Sequence, residues 1–142
     1  MTVKEWLNNG RKINDELLQL REERQRAYDL ACSCTVGASD EKVQTSPKNT
    51  SDGKFAAFAD YSALIDKKVF ELLTYQCRIR RLINRLDNPT YRTLLAWRYI
   101  HCETWEDVAE KMNYSDVWVR TELHSRALAA AEEIFNTSVD EK

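Results

Sequence analysis

The chain has 142 residues, of which 43% are hydrophobic and 31% charged, a composition that excludes a wholly disordered protein and fits one domain or two small modules. Its 3 glycines and 2 prolines supply few of the turn residues that many short strands require, so the composition predicts an all-α fold. It contains neither a membrane-length apolar run of about 18 residues nor the apolar stretch of a signal peptide, so we expect no membrane span and a place in the cytoplasm.

The first predicted helix covers about residues 2–31. Thr2 and Glu5 have the spacing of a capping box, in which each side chain accepts a hydrogen bond from the other residue's backbone N–H. A stripe then recurs every three or four residues, as in a coiled coil. The stripe consists of Val3, Trp6, Gly10, Ile13, Leu17, Leu20, Arg24, Ala27 and Ala31. Because the other faces are polar, this helix needs a partner along the stripe.

Residues 32–53 read CSCTVGASDEKVQTSPKNTSDG and show no periodicity, which predicts a flexible linker. Cys32 and Cys34 lie in this linker. A zinc site normally combines two close pairs of ligands, and the cytoplasm keeps thiols reduced. We therefore expect free thiols, without a metal, a cofactor or a disulfide.

The second predicted helix covers about residues 54–86 and carries its own heptad stripe. The stripe consists of Phe55, Phe58, Ser62, Ile65, Val69, Leu72, Gln76, Ile79, Ile83 and Leu86. Apolar residues also flank it, namely Tyr61, Leu64, Phe70, Leu73, Tyr75 and Leu82. One antiparallel neighbour cannot cover so wide a face, so either the C-terminal module or a second copy covers the remainder. We expect residues 1–86 to form a coiled-coil helical hairpin that makes the protein a homodimer, with Arg24, Ser62 and Gln76 setting its register.

Capping signals divide the remaining module, residues 87–142, into three short helices at about 89–101, 104–112 and 115–135. Asn88 precedes Pro89, Thr104 precedes Asp107 by three positions, and Ser115 precedes the last helix. Two helices joined by a short turn, the second one longer, form the pattern of a helix-turn-helix. The expected crossing packs Val108, Ala109 and Met112 against Val119, Leu123 and Ala127.

Residues 104–112, with Tyr114, Ser115 and Val119, resemble the first helix and turn of the region-four helix-turn-helix of sigma factors. Residues 123–128 and 91–99 are similar to the recognition-helix end and to the preceding leucine-rich helix of that group. The sequence from Asp87 to Leu95, DNPTYRTLL, resembles a signature of small phage and prophage regulators of the RinA and ArpU kind. These resemblances imply promoter binding on double-stranded DNA in a bacterial host cell, with RNA polymerase as a candidate partner.

The expected outward side of the last helix supplies the candidate DNA contacts. These are Arg120, Thr121, His124 and Ser125, with Arg80 and Arg81 of the second helix as candidate phosphate contacts. Trp118, near the start of the last helix, is expected either to contact a thymine methyl group or to pack in the core. The alternative for His124 is stacking on a neighbour as a neutral side chain. Trp97, Tyr99 and Trp105 are expected in the core, and Arg98 in an ion pair with Glu103 or Asp107. Arg126 is expected to bond a carboxylate of the preceding helix or to reach a phosphate.

The charge balance opposes strong DNA binding by the module alone, because residues 87–131 hold five Lys and Arg against seven Asp and Glu. The sequence lacks a phosphate-binding glycine loop, a Gly-x-Ser-x-Gly motif and a His-Glu-x-x-His motif, so we expect no enzyme and no catalytic residues. The helix-turn-helix pattern favours DNA binding, and the resemblance to phage regulators implies a sequence-specific transcriptional regulator of phage genes. The alternatives are a small terminase-like DNA-packaging protein and a protein-interaction module that does not use DNA.

Overall fold

The computed structural model describes residues 1–39 and 47–140, with residues 34–39, 47–52, 54 and 138–140 described by their backbone alone. The described residues form helices and contain no strand, as the composition predicts. The α-helices are α1 (Val3–Ser39), α2 (Pro47–Asn84), α3 (Pro89–Leu95), α4 (Trp105–Met112), α5 (Asp116–Trp118) and α6 (His124–Asp140). Two π-helical turns, Ala96–Ile100 after α3 and Val119–Leu123 between α5 and α6, complete the described elements.

The chain divides into two compact units that do not follow the predicted domains 1–86 and 87–142. The first unit combines Met1–Asn14 with Leu72–Lys142, and the second consists of Asp15–Glu71. The beginning of α1 and the end of α2 therefore share a core with the C-terminal module. The physical reason is the wide apolar face of α2, which the C-terminal helices cover at Leu82 and Ile83.

In the second unit, α1 and α2 pair antiparallel along the predicted stripes. The Lys68 ammonium contacts the Glu16 carboxylate at 2.8 Å, and further along the pair the Arg24 guanidinium donates to the Ser62 hydroxyl at 3.4 Å. Tyr28 packs beyond them on the rings of Phe55 and Phe58. Every stripe residue of both helices is buried or half-buried, which confirms the heptad reading.

In the first unit, the beginning of α1 packs between α2 and α6. The capping box is confirmed, since the Thr2 N–H donates to the Glu5 carboxylate at 2.9 Å and the Glu5 N–H to the Thr2 hydroxyl at 3.2 Å. A carboxylate oxygen of Glu132 in α6 accepts from the Val3 N–H at 2.9 Å. Helices α1 and α2 pack closely at Gly10, where a Cβ would lie 3.0 Å from Cδ1 of Ile79.

Three expectations about the hairpin need correction. Helix α1 continues past residue 31 to Ser39, and α2 begins at Pro47, before residue 54, and ends at Asn84. The linker predicted at 32–53 is therefore mostly helical, and only its residues 40–46 lie outside the described part of the chain. Cys32 and Cys34 consequently belong to α1, and Cys32 is a free thiol. Gln76 does not set the register of the hairpin, because its side-chain amide donates to the Ile100 carbonyl at 2.8 Å.

Among the described residues, no helix is long and apolar enough to cross a membrane. The same residues contain no group of three or more His, Cys, Asp or Glu side chains that could hold a metal ion.

Candidate nucleic-acid interface

Helix α4 begins and ends through two specific caps. The Thr104 hydroxyl accepts from the Asp107 N–H at 3.2 Å, as the sequence predicts. Asn113 ends the helix in the left-handed conformation (φ 61°, ψ 42°), which asparagine tolerates better than most residues. The Tyr114 N–H then donates back to the Ala109 carbonyl at 3.0 Å. The chain therefore turns sharply within three residues.

The second helix of the motif follows this turn without a break in helical backbone. We call α5, the second π-helical turn and α6 together the C-terminal helix. The Ser115 hydroxyl caps its start by accepting from the Trp118 N–H at 3.2 Å, which confirms the predicted cap. In the π-helical turn the His124 N–H donates to the Val119 carbonyl five residues earlier.

The crossing of the two helices is buried where the sequence predicts it. Val108, Val119 and Ala127 have no exposed surface, and Ala109 and Leu123 are nearly as buried. Met112 is half-buried against the same cluster. The small side chain of Ala109 allows the two backbones to approach closely at this point.

Four of the five candidate contacts on the C-terminal helix are exposed. Trp118 packs beside Tyr114 with ring centroids 4.9 Å apart. Arg120 lies 3.7 Å from the Asp116 carboxylate, which exceeds a hydrogen-bond distance. The hydroxyl groups of Thr121 and Ser125 donate within the helix, to carbonyl groups one turn earlier.

The prediction that His124 faces outward is wrong. Only 6% of this residue is exposed, and its Nε2 lies 2.7 Å from the Tyr99 hydroxyl. Trp105 meets the imidazole edge-on, with ring centroids 4.6 Å apart. The π-helical turn explains the error, because it fits one more residue into a turn and so rotates later side chains relative to an ideal α-helix. Burial lowers the pKa of His124 to about 4, and the nearby charges of Lys4 and Arg98 act in the same direction.

Burial raises the pKa of the Tyr99 phenol to about 12. Tyr99 is confirmed as a core residue, while Trp97 and Trp105 are half-buried against the core. The pair of Tyr99 and His124 is therefore a neutral, buried hydrogen bond rather than a binding group.

Arg98 stabilises the loop before α4 rather than forming the predicted ion pair. Its guanidinium donates to the Glu103 carbonyl at 2.9 Å and lies over the Trp105 ring at 4.1 Å. The Glu103 carboxylate pairs with Lys111 instead, which lowers the pKa of Glu103. The Arg11 guanidinium donates to the Arg98 carbonyl at 2.9 Å, so both arginines hold backbone carbonyl groups.

Arg126 forms a salt bridge with Glu122 of its own helix at 3.1 Å, rather than with a carboxylate of the preceding helix. Arg80 and Arg81 are exposed near the end of α2, as a phosphate contact requires. Their neighbour Arg78 instead packs over Trp6, with its guanidinium carbon 5.8 Å from the ring centroid.

Sequence reasoning missed two exposed apolar residues as candidate contacts, one in the turn of the motif and one at the start of its second helix. Val117 is 62% exposed and Tyr114 is 43% exposed. Val117 lies two positions before Val119, the first member of the buried stripe, and that offset is a signal that could have placed it on the outer face. Tyr114 carries no comparable periodic signal, because it belongs to the turn.

The chain belongs to the family described as "Protein of unknown function (DUF1492)", whose model matches residues 33–131 and so covers more than half of the chain. No curated protein and no solved structure gives a significant match. The description of the family assigns no activity, so functional inference depends on the residues of this chain.

Proposed function

We propose that the protein is a sequence-specific regulator of transcription that binds double-stranded DNA. The observation that carries the proposal is the helix crossing described above, which buries Val119 and Leu123 while Arg120 and Thr121 stay exposed. A helix-turn-helix binds DNA with such a face in the major groove. The resemblance to phage regulators of the RinA and ArpU kind further supports this function, with RNA polymerase as a partner.

Arg120 is the side chain that we expect to read a base. Its contact with the half-buried Asp116 is 3.7 Å long, beyond hydrogen-bond distance, and therefore contributes little free energy, so the guanidinium can leave it at small cost. Arginine donates two parallel hydrogen bonds to the O6 and N7 atoms of guanine. Arg126 has a shorter contact with its carboxylate, at 3.1 Å, and serves as the matched control.

Arg80 and Arg81 supply the positive charge that the C-terminal module lacks. The module carries more acidic than basic residues, which predicts weak attraction to phosphates. The exposed arginines of α2 belong to the same compact unit as the module. We propose that they contact the phosphate backbone and position the protein without reading sequence.

The first experiment selects binding sites from a random duplex library with the full chain, alone and with RNA polymerase. Arg120→Ala should cost about 1–3 kcal/mol on the selected site, which is about 5- to 150-fold in affinity, and should relax the preference at one base pair. Arg126→Ala should leave the preference unchanged. Absence of any sequence preference in the wild type, under both conditions, would show that the proposed function is wrong.

The second experiment replaces Arg80 and Arg81 together with Ala. Affinity should fall by a similar factor for all sequences, and the salt dependence should weaken by about one unit of slope per lost contact. The control replaces Arg21 and Arg26, two exposed arginines of α1, and removes the same total charge. If both double variants lose the same affinity, only the net charge matters and no phosphate contact by α2 is needed.

We also propose that the protein acts as a homodimer through α2. Phe70 is 74% exposed, and Ala59 and Ala63 precede it on the same exposed face, where their small side chains allow another helix to approach. A dimer presents two motifs to DNA and so doubles the number of contacts. A ring of many copies, found by light scattering, would instead favour the terminase-like alternative.

One observation favours a second candidate, a protein-interaction module that does not use DNA. The charged side chains on the exposed face of the C-terminal helix are paired with each other, Arg120 with Asp116 and Arg126 with Glu122. A face of balanced charge attracts phosphate weakly. The selection experiment separates the two candidates, because this module would yield no preferred DNA sequence.

A further inference from the structure

An exposed apolar patch lies where the C-terminal helix begins. It consists of Tyr114, Val117 and Trp118, and we call it the apolar patch. Val117 is the most exposed of the three at 62%, and Tyr114 and Trp118 support each other through ring contact at 4.9 Å. Large apolar side chains that remain in water together mark a contact surface.

Two polar side chains next to the patch have hydrogen-bond partners inside the helix. The Thr121 hydroxyl donates to the Val117 carbonyl at 2.6 Å, and the Ser115 hydroxyl accepts from the Trp118 N–H. Because the hydroxyl proton of Thr121 is used there, this side chain has only its methyl group and an acceptor oxygen to offer a partner. The first turn of the helix therefore presents a mainly apolar surface to a partner.

We propose that the apolar patch recognises the 5-methyl groups of thymine in the major groove, so that part of the site is read without hydrogen bonds. This inference rests on the proposed function. Thymine alone among the four bases carries an apolar group on its major-groove edge. The N-terminal residues of a recognition helix are those that reach base edges, and the patch occupies that end of the helix. This position favours DNA over a protein as the partner.

The experiment uses the duplex site that the full chain selects and replaces each thymine in turn by uracil, which lacks only the methyl group. At one or two positions the affinity should fall about fourfold, the factor expected for one buried methyl group. Val117→Ala should lower the affinity for the thymine site and reduce the thymine-to-uracil ratio at one of these positions to about one. Because Val117 is exposed and alanine favours helix, this variant should fold.

The matched control is Leu18→Ala, which truncates another exposed apolar residue, on α1 and away from the proposed dimer face. It should leave both the affinity and the thymine-to-uracil ratio unchanged. Trp118→Ala tests a second residue of the apolar patch. It should reduce the thymine-to-uracil affinity ratio at a base position next to the one that Val117→Ala affects.

Two results would overturn the inference while the proposed function stands. One is a selected site on which uracil changes the affinity less than about twofold at every position. The other is a Val117→Ala variant that keeps the full thymine preference and loses binding to RNA polymerase, which would assign the patch to a protein. A wild type without any sequence preference would overturn both this inference and the proposed function.

Discussion

Acid should destabilise the protein through a single buried histidine. His124 is 6% exposed and hydrogen-bonded to Tyr99, and its pKa is lowered to about 4 from an ordinary value of about 6.5. The unfolded chain therefore binds a proton at a higher pH than the folded chain does. Stability is complete above about pH 6.5 and falls as the pH drops towards about 4.

The size of the effect follows from linkage. Between about pH 6.5 and about pH 5 the unfolded state is increasingly protonated at His124 while the folded state is not, and each unit contributes about 1.4 kcal/mol, so the total loss is about 2 kcal/mol. The carboxylates of Glu5 and Glu103 have pKa values below their ordinary range, and they therefore titrate at lower pH than this interval.

Urea unfolding followed by circular dichroism at about pH 7.5 and about pH 5 measures this loss as a change in the free energy of unfolding. The variant His124→Gln keeps a polar side chain but does not titrate. Its free energy of unfolding should therefore fall much less between these two pH values. The matched control is His101→Gln, which replaces the other histidine of the chain, an exposed one, and should retain the loss. If His124→Gln keeps the full loss, the reasoning from burial to pKa is refuted.

Three further predictions concern the hairpin. Gly10→Leu should lower the free energy of unfolding by about 1–3 kcal/mol in urea titrations, because even a Cβ would lie 3.0 Å from Ile79; unchanged stability would contradict this close packing. Phe70→Glu should shift light scattering from dimer to monomer with unchanged helicity, and a wild type that is monomeric at micromolar concentration would refute the dimer. Replacing Cys32 and Cys34 together with Ser should leave the melting temperature unchanged, whereas one zinc per wild-type chain in metal analysis would contradict the prediction.

The sequence predicts the hairpin and its caps because these features depend on short-range patterns. Heptad spacing brings each stripe to one side of its helix, and a hydroxyl or amide oxygen at a helix start accepts from an N–H two or three residues on, as at Thr104, Ser115 and Asn88. The linker is predicted too long because its composition alone does not take into account where its proline and glycine residues lie. Pro47 is the first residue of α2, where proline favours a helix start, and Gly53 lies inside the helix at a cost of about 1 kcal/mol.

The candidate interface was predicted in part, and the errors have one physical source. A constant 3.6-residue period places Arg120 and His124 on the same face, since they are four residues apart. The π-helical turn from Val119 to Leu123 changes that period for one turn, so that Arg120 stays in water and His124 enters the core. The hydrophobic pattern does not reveal the extra residue of the π-helical turn, because Val119, Leu123 and Ala127 fall on the buried face with or without that turn.

The two π-helical turns meet at one contact, which suggests why both exist. Tyr99 lies within the first turn, His124 directly follows the second, and their side chains share a hydrogen bond of 2.7 Å. An isolated π-helical turn is rare, and both turns here bring a polar side chain to a buried partner that satisfies it. Val117 precedes the second turn and Ser125 follows it, so the extra residue of the turn rotates the outer face that carries Ser125 relative to the outer face that carries Val117. The relative orientation of the candidate DNA contacts before and after the turn therefore differs from that of an ideal α-helix, and the same turn brings His124 to Tyr99 on the buried side.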